Sequence, residues 1–164
     1  LSKGEGYLDK KNLKVYDRQG NEVDASEVTQ ENYKSYIFRQ PPSERNALGQ
    51  VKFNMPNPWD IYLHDTPSKG DFEKEDRYKS SGCVRLERAL DLAAYVLKDM
   101  DNQDSLNIDE VLNAGETKYI NLKNKLPVHI VYLTAYDDGN GLQFYKDIYN
   151  KDSELAALLN KTNK

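Results

Sequence analysis

One thiol and one upstream imidazole stand out as the groups able to do chemistry. Cys83 is the only cysteine of the chain, and His64 precedes it by 19 positions in the stretch HDTPSKGDFEKEDRYKSSGCVRL. A thiol is a weak nucleophile until a base takes its proton, and an imidazole titrates in the range where it can do so. Ser80, Ser81 and Gly82 stand immediately before the cysteine. Small residues there let the backbone turn tightly and aim amide N–H groups at a reacting carbonyl. The combination points to acyl transfer through a covalent sulfur intermediate. A lone cysteine is otherwise most often a small buried hydrophobe, so its neighbours carry the argument.

These two side chains need elements to hold them. Ile61-Tyr62-Leu63 reads as a short strand that delivers His64 at its end, after the chain is broken by Met55-Pro56-Asn57-Pro58. Val51 and Phe53 alternate with polar neighbours, as a strand should. Residues 68–79 form a charged, polar segment expected to loop over the site or beside it. Beyond Cys83 the period changes. Leu86, Leu90, Ala93 and Leu97 mark an amphipathic helix to about Met100, which places Cys83 just ahead of a helix N-terminus whose partial positive charge, with Arg85, favours a thiolate.

Elsewhere, residues 13–17 read as a strand closed by a turn at Arg18-Gln19-Gly20-Asn21, and Tyr33, Tyr36 and Phe38 begin a half-buried stretch. Residues 39–50 form a polar loop with a tight turn at Gly49. A short helix is expected after Asn107, with Glu110 completing a capping box and Gly115 as its stop. Residues 128–135 read as a strong strand, with His129 structural within it. Asp137-Asp138-Gly139-Asn140-Gly141 is a hairpin turn into residues 142–145, and residues 153–159 can form a terminal helix. The pattern predicts one mainly β, α+β domain over residues 1–164.

The whole chain narrows the function classes. It has 164 residues, a net charge of −4 and 30% charged side chains, with no basic run, which argues against nucleic acid as a partner. No apolar stretch approaches the roughly 20 residues needed to span a bilayer, and the first residues lack the apolar core of a signal peptide. Twelve tyrosines against four phenylalanines suit half-buried strands with wet edges. One cysteine permits no internal disulfide, two histidines 65 positions apart make a weak metal site, and no cofactor is expected.

The stretch that opens at His64 resembles the L,D-transpeptidase (YkuD-type) catalytic domain, and in detail its YcbB-like branch. That family carries a histidine and then, after an intervening stretch, Ser/Thr-His-Gly-Cys-x-Asn/Arg. His64 matches the first position, and Ser80-Ser81-Gly82-Cys83-Val84-Arg85 matches the rest. Ser81 departs from the second histidine of most members, as it does in the YcbB-like branch. Residues 39–58, 61–69 and 126–149 are similar to other parts of the branch. Family domains begin with further strands, so the resemblance implies a C-terminal portion of an L,D-transpeptidase-like sheet or sandwich, lacking its first strands, with a helix after the cysteine.

The resemblance also implies a function. The substrate would be a peptidoglycan stem tetrapeptide ending in D-alanine, and the product a 3→3 cross-link made through a cysteine acyl-enzyme. Cys83 would be the nucleophile and His64 the base. The carbonyl of Asp65 would fix the imidazole tautomer, and the amides of Gly82 and Cys83 would hold the oxyanion. Arg85 would take a substrate carboxylate, with Tyr62, Ser80 and Ser81 beside it. Carbapenems would acylate the same thiol, and the site of action would be the periplasm or cell envelope. Two alternatives stay open: an L,D-carboxypeptidase hydrolysing the same stem, and a catalytically incomplete wall-binding fragment. A papain-like NlpC peptidase fits poorly, because its nucleophile precedes its histidine.

Overall fold

The computed structural model describes residues 6–80, 82–99 and 106–162. They fall into two compact units, residues 1–125 and 126–164.

The first unit opens with a single helical turn, α1 (Tyr7–Lys10). Strands β1 (Lys14–Tyr16), β2 (Glu22–Val23) and β3 (Ile37–Arg39) form an antiparallel sheet in the order β2-β1-β3. Val15 on the central strand is 2% exposed, which is why this β-branched residue anchors the sheet. The turn before β2 is closed by the Asp17 carboxylate, which accepts from the Asn21 amide at 2.8 Å and from its side-chain Nδ2 at 2.9 Å.

A second three-stranded sheet, β4 (Lys52–Phe53), β5 (Leu63–His64) and β6 (Val84–Arg85), runs in the order β4-β5-β6. Strands β4 and β5 are antiparallel, whereas β5 and β6 are parallel. A parallel pair needs a crossover, and residues 65–83 supply it, with a short 3-10 helix at Lys69–Glu73. Helix α2 (Ala89–Ala94) follows and passes into a π-helical stretch, Tyr95–Asp99. Its apolar face is buried at Ala89, Ala93, Val96 and Leu97. Helix α3 (Ile108–Asn113) is capped by Asn107, whose Oδ1 accepts from the amides of Asp109 and Glu110. Its end at Gly115, with φ +67°, is where the sequence predicts a stop.

The second unit holds the hairpin β7 (Ala135–Asp137) and β8 (Leu142–Phe144), and helix α4 (Asp152–Thr162). Tyr136 and Tyr145 stack at 5.6 Å between centroids.

Three expectations change. The helix after Cys83 begins at Ala89 rather than Leu86, because residues 84–85 pair with β5 as a strand. Cys83 therefore precedes a strand, and the helix N-terminus is not beside its sulfur. The strong strand expected over residues 128–135 pairs only from Ala135 onward, since a β pattern becomes a ladder only where a neighbouring strand meets it. The terminal helix is longer than its apolar pattern, beginning at Asp152. The mixture of short helices and small sheets is an α+β architecture.

Candidate active site

Register places the reactive residues. Lys52 pairs with His64, and His64 pairs with Arg85, so these three side chains leave one face of the sheet. Two residues earlier on their strands, Tyr62 and Cys83 keep the same alternation and extend that face. The backbone bonds agree: the Val84 amide donates to the Tyr62 carbonyl at 3.1 Å, and the Leu86 amide to the His64 carbonyl at 2.8 Å. Cys83 thus lies diagonally from His64, within the reach of neighbours on one face of a sheet.

His64 is buried, and its Nδ1 lies 2.5 Å from the Asp65 carbonyl oxygen. That contact needs the proton on Nδ1, which leaves Nε2 as the basic nitrogen; among the described residues it has no hydrogen-bond partner. The Tyr62 ring meets the imidazole edge-on at 5.7 Å between centroids, and Lys52 Nζ sits 3.8 Å above the Tyr62 ring. Burial, the neighbouring Cys83 sulfur and the Asp60 carboxylate together push the Tyr62 phenol above its ordinary range. It therefore stays protonated and able to donate to a thiolate.

Cys83 is half-buried, with Sγ 3.9 Å from the Asp60 carbonyl oxygen. It opens into a depression of about 450 Å³ lined by Trp59, Asp60, Ile61, Gly82 and Cys83. The turn before it is tight: Ser80 Oγ donates to the Cys83 carbonyl at 2.5 Å and accepts from the Gly82 amide at 3.3 Å. Gly82 has φ +150°, a conformation that L side chains rarely adopt. In this structure the Gly82 N–H is turned toward Ser80, and Tyr62 stands beside the sulfur rather than in the depression. Ser81 lies outside the described residues.

Arg85 Nη1 bonds Asp71 Oδ2 at 3.0 Å, across the crossover. The Asp71 carboxyl is held below its usual range, first by its hydrogen bond from Lys74, with the charges of Lys74, Arg85 and Lys79 also lowering it.

Asp65 is a structural hub next to His64. Its Oδ2 accepts from the Gln50 amide at 2.9 Å, and its Oδ1 pairs with Lys69 Nζ at 2.6 Å. Lys69 also donates to the carbonyls of Leu86 and Glu87, clipping the crossover to the end of β6. Burial pushes the Asp65 carboxyl up, but Lys69 and the amides of Gln50 and Thr66 outweigh it and hold it below its ordinary value. A depressed carboxyl contributes stability above the unfolded value near about 3.9, and that contribution is lost as pH falls through the lower folded value. The melting temperature should accordingly fall on acidification below about pH 4, and less steeply in Asp65→Asn than in the unmodified chain. Melting curves across that pH range check this, and equal slopes would contradict it.

Two residues that the sequence did not single out shape the depression. Asn57 satisfies its whole side chain inside one turn: Nδ2 donates to the carbonyls of Met55 and Ile61, and Oδ1 accepts from the amides of Trp59 and Ile61. This holds Trp59, 75% exposed, at the rim beside Cys83. An Asn between two prolines signals a turn, but nothing local says that the turn faces a thiol.

Residues 3–130 match the model of the YkuD family, the L,D-transpeptidase catalytic domain. The chain is similar to a Haemophilus influenzae protein named "Putative L,D-transpeptidase", with 35% identity over 152 residues. That alignment covers 91% of this chain and 31% of the relative, so the chain spans about a third of the relative's length.

Proposed function

Because the chain belongs to the YkuD family of L,D-transpeptidase catalytic domains, we propose that it joins peptidoglycan stem peptides through a thioester on Cys83. The observation that supports this most is the parallel pairing of β5 with β6, which sets the thiol and the imidazole on one face. His64 Nε2 takes the thiol proton. The sulfur attacks the carbonyl of the third residue of a tetrapeptide stem, and the carbonyl π electrons move to oxygen. Collapse breaks the carbon–nitrogen bond, and D-alanine leaves with the proton returned by the imidazolium. A side-chain amine of a second stem then attacks the thioester, giving the 3→3 cross-link and regenerating the thiol.

Each neighbour has a part. The Asp65 carbonyl fixes the tautomer that leaves Nε2 basic. The Tyr62 hydroxyl donates to the sulfur while it is anionic. The Cys83 amide meets the oxyanion, joined by the Gly82 amide once it turns from Ser80. Trp59 and Ile61 wall the acyl group's position, and Ser80 shapes the approach. Carbapenems acylate the same sulfur, and the chain works in the cell envelope. Among the described residues no helix is long and apolar enough to cross a membrane.

Product analysis tests the reaction. Incubation with a tetrapeptide stem should yield free D-alanine and a cross-linked dimer. Tripeptide without dimer would mean that water accepts the acyl group, making the chain an L,D-carboxypeptidase. Tight binding without either product would indicate a wall-binding fragment.

Arg85 gives a separate handle. Its guanidinium pairs with Asp71, and in this reading it takes a substrate carboxylate, which its planar fork suits. A hydrogen bond to a charged group contributes about 1.5–3 kcal/mol, so Arg85→Ala should raise KM for the stem roughly 10–100-fold. Initial-rate kinetics check this, and an unchanged KM would remove Arg85 from the substrate site.

A further inference from the structure

A second cleft has Arg85 in its lining. It has a volume of about 290 Å³, and the cations Lys10, Lys11, Arg45 and Arg85 line it together with Asn12 and Ser68. No aspartate, glutamate or aromatic residue lines it. Such a concentration of positive charge runs against a chain whose net charge is −4. Arg85 is partly neutralised by Asp71, whereas Lys10, Lys11 and Arg45 make no ion pair among the described residues.

The walls are tied together rather than loosely apposed. Gln40 donates from Nε2 to the Lys11 carbonyl at 2.6 Å and accepts at Oε1 from the Ala47 amide at 2.9 Å. Arg45 Nη2 donates to the Lys10 carbonyl at 3.2 Å, joining the 40–48 loop to the end of α1. Asn12, at φ +52°, donates from Nδ2 to Ser43 Oγ at 2.9 Å. Thr66, 2% exposed and two residues beyond His64, also lines this cleft. Arg85 and Thr66 therefore connect it to the face that carries Cys83.

We infer that this cleft is an anion subsite that holds a second carboxylate of an acidic peptide substrate, one on the stem before the residue that Cys83 acylates. The inference rests on the reaction proposed above and names the substrate property it selects. Without an aromatic surface the cleft offers nothing for a nucleobase to stack on, and with only Ala47 and Pro67 as apolar lining it offers little to a lipid tail. Its continuity with Arg85 favours a carboxylate borne by the reacting peptide over a free inorganic anion. Charge-assisted bonds from two lysines and an arginine favour the ionised peptide over its amidated form.

The test uses the whole chain. With Cys83→Ala blocking turnover, calorimetry should show a tetrapeptide stem with free carboxylates binding about tenfold more tightly than the stem whose carboxylates before the acylated residue are amidated. Lys10→Gln/Lys11→Gln should erase that preference, and Lys10→Arg/Lys11→Arg should restore it. Equal affinity for the two peptides, or a preference that survives the double glutamine change, would overturn the subsite. So would inorganic phosphate displacing the acidic peptide at equimolar concentration, which would make this a phosphate site. Release of D-alanine by the chain with Cys83 intact is a separate readout. If it continues with an unchanged KM in Lys10→Gln/Lys11→Gln, the subsite fails and the proposed reaction stands. If it never occurs in the unmodified chain, the reaction fails.

Discussion

Cys83→Ala is expected to abolish D-alanine release from a tetrapeptide stem, a loss of about 10⁴-fold or more, because no other group on the site face can form the thioester. Cys83→Ser is expected to fall nearly as far, since a hydroxyl beside one imidazole is a far poorer nucleophile than a thiol. His64→Gln should lose about 10²–10⁴-fold, the usual contribution of a positioned base. An amide at position 64 can still donate to the Asp65 carbonyl, so the fold should survive. The contrast matters physically. On the proposed mechanism the imidazole would add only to the rate of proton transfer, whereas the sulfur would carry the covalent bond. Rates of D-alanine release, measured beside circular dichroism of each variant, check both. Cys83→Ala retaining a tenth of the unmodified rate would contradict the assignment.

The second large effect lies away from the sulfur. Gly49 has φ +62°, and a Cβ built there would lie 2.3 Å from Asp65 Oδ2 and 2.6 Å from Asp65 Cβ. Asp65 cannot yield easily, because it is buried and held by the Gln50 amide and Lys69. Gly49→Ala thus combines backbone strain with displacement of the carboxylate next to the base. We expect a loss of about 2–4 kcal/mol, which for a chain of this size lowers the melting temperature by roughly 5–15 °C. Gly20→Ala is the control: its φ is +92°, but a Cβ there meets nothing within 4 Å. It should cost only about 1 kcal/mol. Equal losses in the two variants would show that Asp65 accommodates the methyl group.

What the sequence made legible follows from how local each signal is. The turn at residues 137–141 is specified by its own residues, with Gly139 at φ +90° and Gly141 at φ +130°, and the hairpin forms where the pattern places it. Asn107 likewise announces α3. The end of β5 at His64 was legible because the proline-rich break before it and the polar segment after it confine the strand.

Signals that depend on distant partners were not legible. Val84 and Arg85 join the apolar run that leads into α2, and only their pairing with Leu63 and His64 makes them a strand. That pairing removes the helix terminus from Cys83 and supplies instead a sheet face with Tyr62 beside the sulfur. The resemblance implies a role for the Asp65 backbone carbonyl, whereas its side-chain role depends on Gln50 and Lys69, which sequence separation hides. Nothing local distinguishes Lys10 and Lys11, and the loop at 40–48 makes them one wall of a cleft.

The most direct test of the sulfur's role is the mass of the chain quenched in acid during turnover with a tetrapeptide stem. A population heavier by the tripeptidyl acyl group is expected, with the added mass on the proteolytic fragment that contains Cys83 and removed by a nucleophilic amine. An unmodified mass throughout, while D-alanine accumulates, would contradict it.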